Sequence, residues 1–87
     1  MAEQQMNYEI EEELAVLSIK GEHVTVEVNM IAYRGGRPKL DIRKWYREDL
    51  EEHDHKKDQM WKGITLSWEE TQKLKEVLDG LTQVNFK

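Results

Sequence analysis

With 87 residues, 36% of them charged, and a net charge of -5, the chain holds one small domain at most, burying well under ~70% of its unfolded surface. The lack of cysteine excludes disulfides and thiolate metal sites, and it gives no reason to expect an oxidising compartment. No apolar run approaches the roughly 18 residues of a membrane span, and Met1–Asn7 lacks the apolar stretch of a signal peptide, so a soluble, cytoplasmic protein is the expectation.

Residues 1–7 are polar and unpatterned and read as a disordered tail. From Glu9 to Ile19 an acidic start gives way to Leu14-Ala15-Val16-Leu17-Ser18-Ile19, which stops at Lys20-Gly21 and reads as a strand. Over 23–33, Val24, Val26, Val28, Met30 and Ala32 alternate with Thr25, Glu27, Asn29, Ile31 and Tyr33. That period of two predicts a second strand with the valines on its core face. Gly35-Gly36 supplies the positive φ angles of a tight reversal. Pro38 suits the mouth of a third strand, where Leu40 and Ile42 alternate with Asp41, Arg43 and Trp45.

Residues 48–59 break the composition with six acids, two lysines and two histidines around Leu50, and are expected to form a long mobile loop. Trp61-Lys62-Gly63-Ile64-Thr65-Leu66 reads as a fourth strand. Ser67, with Glu70 three residues on, makes a capping box, and the helix it starts runs to about Asp79. Trp68, Leu74, Val77, Leu78 and Leu81 form its apolar stripe, and Gly80 ends it. The expected fold is α+β: a four-stranded, curved antiparallel sheet followed by one C-terminal helix (ββββα). The domain spans 8–82, with residues 83–87 as a C-terminal tail. One helix of about three turns covers only part of one sheet face, so a homodimer is expected to supply the remaining cover.

Charge is unevenly placed. Residues 1–19 carry five acids and no base, whereas 33–47 holds six of the thirteen Lys+Arg residues against the single acid Asp41. Three of the six Trp and Tyr residues, Tyr33, Trp45 and Tyr46, are interleaved with those cations. Cations track phosphates and aromatic faces stack on unpaired bases, a mixture that suits a single-stranded nucleic acid. The same residues also suit a hairpin with a charged outer face, its arginines paired across strands with Glu27 or Asp41. Trp45 and Tyr46 are neighbours on a strand, so one faces the core and the other faces out.

Other chemistry finds little support. His53-Asp54-His55 resembles a metal clip, but three consecutive side chains converge poorly on one ion, and no other His or Cys is near in sequence. Ser18 and Ser67 are accounted for as a strand residue and a helix cap, and Gly35-Gly36 lacks the following helix N-terminus of a phosphate loop. Neither enzymatic activity nor a cofactor is expected.

The order Tyr33-Arg34-Gly35-Gly36-Arg37, Leu40-Asp41-Ile42-Arg43-Lys44-Trp45-Tyr46 and Trp61-Lys62-Gly63-Ile64-Thr65-Leu66-Ser67 before a helix with Leu74-Lys75 resembles the single-stranded-DNA-binding domain of the transcriptional positive cofactor 4 family, and within it a bacterial YdbC-like branch. The resemblance covers about 14–81. It implies a ββββα homodimer whose curved sheets hold single strands with little sequence preference. It further implies that Tyr33 is the turn aromatic, Arg34 and Arg37 the turn cations, Arg43 the strand arginine, Tyr46 the base-stacking aromatic and Lys62 the lysine before Gly63.

The chain departs from the family at three places. Trp45-Tyr46 stands where tyrosine precedes tryptophan, leaving either ring as the one that stacks. Trp61 replaces a commonly basic residue and offers an additional ring. The 48–59 loop is longer and more acidic. The expected function is therefore single-stranded DNA binding as a homodimer, in bacterial transcription regulation or DNA processing, through Tyr33, Arg34, Arg37, Lys39, Arg43, Trp45, Tyr46 and Lys62. A protein-interaction module working through a sheet edge or the acidic loop, and a single-stranded RNA binder, are the alternatives.

Overall fold

The computed structural model describes residues 8–51 and 57–86. Four strands, β1 (Tyr8–Lys20), β2 (Val24–Tyr33), β3 (Lys39–Tyr46) and β4 (Gln59–Leu66), form one antiparallel sheet in sequential order, and the helix α1 (Trp68–Asp79) follows. The segment expected to be a C-terminal tail holds one 3-10 turn at Gln83–Asn85. His53-Asp54-His55 lies outside the described residues. The capping box forms as the sequence predicts: the Glu70 N–H donates to Ser67 Oγ at 3.1 Å, and the Ser67 N–H donates to Glu70 Oε1 at 2.9 Å.

The β2–β3 turn closes one residue earlier than the glycine pair suggests. Positive φ falls on Arg34 (53°) and Gly35 (75°), while the Gly36 N–H donates to the Tyr33 carbonyl at 2.8 Å. Two consecutive positive φ values match the right-handed twist of a hairpin. Here an arginine occupies one of them, a conformation that non-glycine residues seldom adopt.

The alternation in β2 is observed, but its buried face is the polar one. Thr25, Glu27, Asn29 and Ile31 are at most 2% exposed, while Val24, Val26, Val28 and Met30 are only half-buried. The reason is curvature. The register of β1 against β2 slips at three places, and each such irregularity adds twist. The sheet thus coils over its polar face until Tyr8 on the edge strand lies 6.1 Å from Trp45, two strands away, between ring centroids. The Tyr33 hydroxyl likewise reaches Met60 Sδ at 3.9 Å.

The opposite face is left with α1, which touches only β3 and β4 and buries no residue completely. Trp68, Val77 and Leu78 on the helix and Ile64 on β4 are exposed; at the far edge of the sheet so are Leu14, Val16, Leu17 and Ile19 on β1, of which Val16 and Ile19 pair with Glu27 and Thr25 of the inner face. Single exposed apolar residues are ordinary, but this many on so thin a molecule leaves large apolar areas in water.

Gly63 permits a close approach of β4 to β3. A Cβ at this position would sit 1.9 Å from Arg43 Cβ and 2.6 Å from the Ile42 carbonyl oxygen. Neither atom can yield without moving β3. Gly63→Ala should therefore destabilise the fold by about 3 kcal/mol, at the upper end of overpacking costs. Urea unfolding followed by circular dichroism measures this, with Gly21→Ala as a control for backbone strain in open space.

Candidate nucleic-acid interface

The predicted residues separate into an interior set and an exposed set. Asp41 is fully buried on the inner face, and Arg43 grips it with both Nε and NH2 at 2.6 Å. Thr65 Oγ1 donates to the same carboxylate at 2.9 Å. This fork-to-fork pairing is the strong form of an ion pair. The Arg43 side chain is only 11% exposed. Its hydrogen bonds to Asp41 push its pKa above the ordinary arginine value, against the lowering effect of burial. Arg47 is buried too, at 3.4 Å from Glu27 and 3.5 Å from Asp58. Glu27 itself accepts from Thr25 Oγ1 at 2.6 Å. Two of the six clustered cations are thus committed to cross-strand and neighbouring carboxylates, as the plain hairpin reading expects.

Trp45 belongs to the interior as well. It is 0% exposed and packs beside Tyr8, whose ring also sits 6.3 Å from Tyr33. Burial, with a smaller contribution from the charge of Asp58, raises the Tyr8 pKa above the ordinary tyrosine value. Tyr46 points the other way and is half-buried, as strand alternation requires once its neighbour is inside.

Tyr46 is the middle of a row of three rings. His23 stacks on it at 5.0 Å and 25°, and Trp61 at 5.8 Å and 28°. His23 Nδ1 lies 2.9 Å from the Arg47 carbonyl; since a carbonyl only accepts, that nitrogen carries the proton. At the other end, Trp61 and Lys62 form a bulge. Arg43 pairs with Gly63 and Trp45 with Met60, so two residues of β4 face Lys44 alone on β3. A bulge re-aims side chains and frees backbone groups, and Arg43 NH1 takes up the Trp61 carbonyl at 2.9 Å. Lys44, Met60, Trp61 and Lys62 line an open surface depression there.

The exposed cations of the 33–47 strip are Arg34, Arg37 and Lys39 at the β2–β3 turn and Lys44, which lies with the exposed Lys62 of β4 beside the ring row. Tyr33 is half-buried at the turn and directs its hydroxyl to Met60, the residue before Trp61. Sequence reasoning did not place His23 or Lys44 at a site and mentioned Trp61 only as an additional ring. The bulge that joins them arises from strand pairing, which no local pattern encodes. Among the described residues there is no cluster of acids and histidines that could hold a metal ion, and no helix is long and apolar enough to cross a membrane.

Compared with known families, residues 22–77 match the sequence model described as Transcriptional Coactivator p15 (PC4). The matched span starts before His23 and ends within α1, so it contains the turn, the ring row and the bulge, and omits β1. No curated protein matches the chain.

Removing the Asp41 carboxylate would strand a nearly buried guanidinium and loosen the group that holds the Trp61 carbonyl. Asp41→Ala should cost on the order of 3 kcal/mol of stability. Arg34→Ala, at an exposed turn, should leave the melting temperature within a few degrees, and calorimetry on the two variants makes the comparison.

Proposed function

The chain belongs to the transcriptional coactivator p15 (PC4) family, and on that premise we propose that it binds single-stranded DNA as a homodimer, with little sequence preference, in bacterial transcription regulation or DNA processing. The family is a nucleic-acid-binding, non-enzymatic one. The observation that carries the reading for this chain is the pairing of exposed lysines Lys44 and Lys62 with the half-exposed rings of Tyr46 and Trp61, in a protein whose net charge is -5. Phosphates would be met by Arg34, Arg37, Lys39, Lys44 and Lys62, and bases by Tyr33 and the ring row. In this reading Arg43 and Trp45 act from beneath, one holding the bulge and the other filling the inner face, and neither touches the strand directly. The unit that performs this spans 8–82.

A second copy accounts for the apolar surface. Trp68, Val77 and Leu78 on α1, with Ile64 on β4, are exposed in the single chain, and burying apolar area returns roughly 25 cal/mol per Å². At the other edge of the sheet, Leu17 and Ile19 of β1 are about 60% exposed as well.

Titrating labelled oligo-dT at two salt concentrations tests the binding. Tight binding should weaken with salt at a log–log slope of about −0.7 per phosphate contacted, and duplex of the same length should bind more weakly. Equal affinity for duplex, or no salt dependence, would overturn the proposal. Replacing Arg34 and Arg37 together by glutamate should abolish binding with an unchanged melting curve, and competition by matched RNA separates DNA from RNA preference. Sedimentation at micromolar concentration should give a dimer, and Val77→Asp with Leu78→Asp should give a folded monomer.

A further inference from the structure

Tyr46, the ring that the family resemblance marks for stacking, has neighbouring rings stacked on it from both sides. His23 approaches from the β2 side at 5.0 Å and Trp61 from β4 at 5.8 Å, both within 28° of parallel. A base could reach a face of Tyr46 only by displacing one of them. His23 is tied down by its hydrogen bond to the Arg47 carbonyl, and Trp61 by the hold of Arg43 on its own carbonyl. The row therefore presents its outer end rather than its middle, and that end is Trp61, which is 43% exposed.

We propose that the outer face of Trp61, flanked by Lys44 and Lys62, is the principal base-stacking platform of this chain, with Tyr46 and His23 as its backing rings. The occupant is one unpaired nucleobase of a single strand, its neighbouring phosphates taken by the two lysines. Charge and shape both favour it. Among the described residues the depression is lined by Lys44, Met60, Trp61 and Lys62 and by no acid, and the nearby Asp58 is engaged by Arg47 at 3.5 Å. An indole face provides an apolar, sequence-tolerant floor, and two cations on its rim fit a polyanion. The bulge at Trp61–Lys62 turns ring and lysine out together, which a regular strand would send to opposite faces.

This inference rests on single-strand binding as proposed above, and the experiment keeps the two apart. Binding of a labelled oligo-dT of about 16 nucleotides, the upper site size of a small single-strand module, is measured for the unaltered protein, Trp61→Ala, Trp61→Phe and Tyr46→Phe. Trp61→Ala should lose about 5- to 150-fold in affinity, the span of one base–aromatic stack, with its salt slope unchanged. Trp61→Phe and Tyr46→Phe should stay within a few-fold. Lys44→Ala and Lys62→Ala should each reduce the salt slope by about 0.7.

A second readout does not depend on how the alanine variant folds. In a Trp68→Phe background the oligomer should quench tryptophan emission, and adding Trp61→Phe should remove the quenching, because Trp45 is buried. If the unaltered protein fails to bind, single-strand binding falls and this inference falls with it. If it binds while Trp61→Ala binds equally well, or if emission is not quenched, only the platform is overturned. Loss of the dimer in sedimentation on Trp61→Ala, with oligomer affinity retained, would assign the surface to a second copy and also overturn the platform.

Discussion

The fully buried carboxylate of Asp41, held at 2.6 Å by both ends of the Arg43 fork, is the interaction on which the rest of the structure depends. A carboxylate taken out of water is costly unless its charge and lone pairs are met. Arg43 and Thr65 meet them from β3 and β4. Arg43 also spends a third donor on the Trp61 carbonyl, so one side chain neutralises the interior and clamps the bulge at the surface. The close approach of β4 at Gly63, where no Cβ fits against Arg43, brings the strands near enough for this.

From that pairing the division of the two faces follows. The inner face carries Thr25, Glu27, Asn29, Asp41 and Arg47. It is polar yet buried, which is tolerable because its groups bond to one another. Coiling of β1, with Tyr8 packed near Trp45, closes over it. The apolar face, which would ordinarily be the core, is left open apart from a helix that reaches β3 and β4 only. An arrangement of this kind keeps large hydrophobic area outside, and it is why a second copy enters the functional proposal. The same coiling sets Trp45 inside and Tyr46 outside, and the outside ring then gathers His23 from the turn before β2 and Trp61 from β4.

Much of the fold was readable along the chain. The four strands, their order, the reversal near Gly35 and the capped helix from Trp68 are all local: alternation, glycine and a Ser67–Glu70 box act within a few residues. The segregation of cations into 33–47 was also legible, whereas the roles given to Tyr33, Arg34, Arg37, Tyr46 and Lys62 came from the family resemblance. The side of β2 that is buried was not. Alternation reports two different faces, and apolar content usually names the inner one; here the coiling of the sheet over its polar face reversed it. The positive φ at Arg34 was missed for a similar reason, since the pairing of β2 with β3 sets where the turn closes, and the glycine pair only marks the neighbourhood.

By itself, the sequence determined the element types, their antiparallel order and a concentrated strip of cations and rings, because each of these depends on spacing along the chain. Only the tertiary structure decided which of those residues are available. Arg43, Arg47 and Trp45 went inside and Arg34, Arg37, Lys39, Lys44 and Lys62 stayed out. The stack of His23, Tyr46 and Trp61 joins the β1–β2 turn and two strands through a bulge. The physical reason is that a side chain's partner in a sheet is set by register and curvature. These depend on how the strands meet, and no stretch of one strand contains that information.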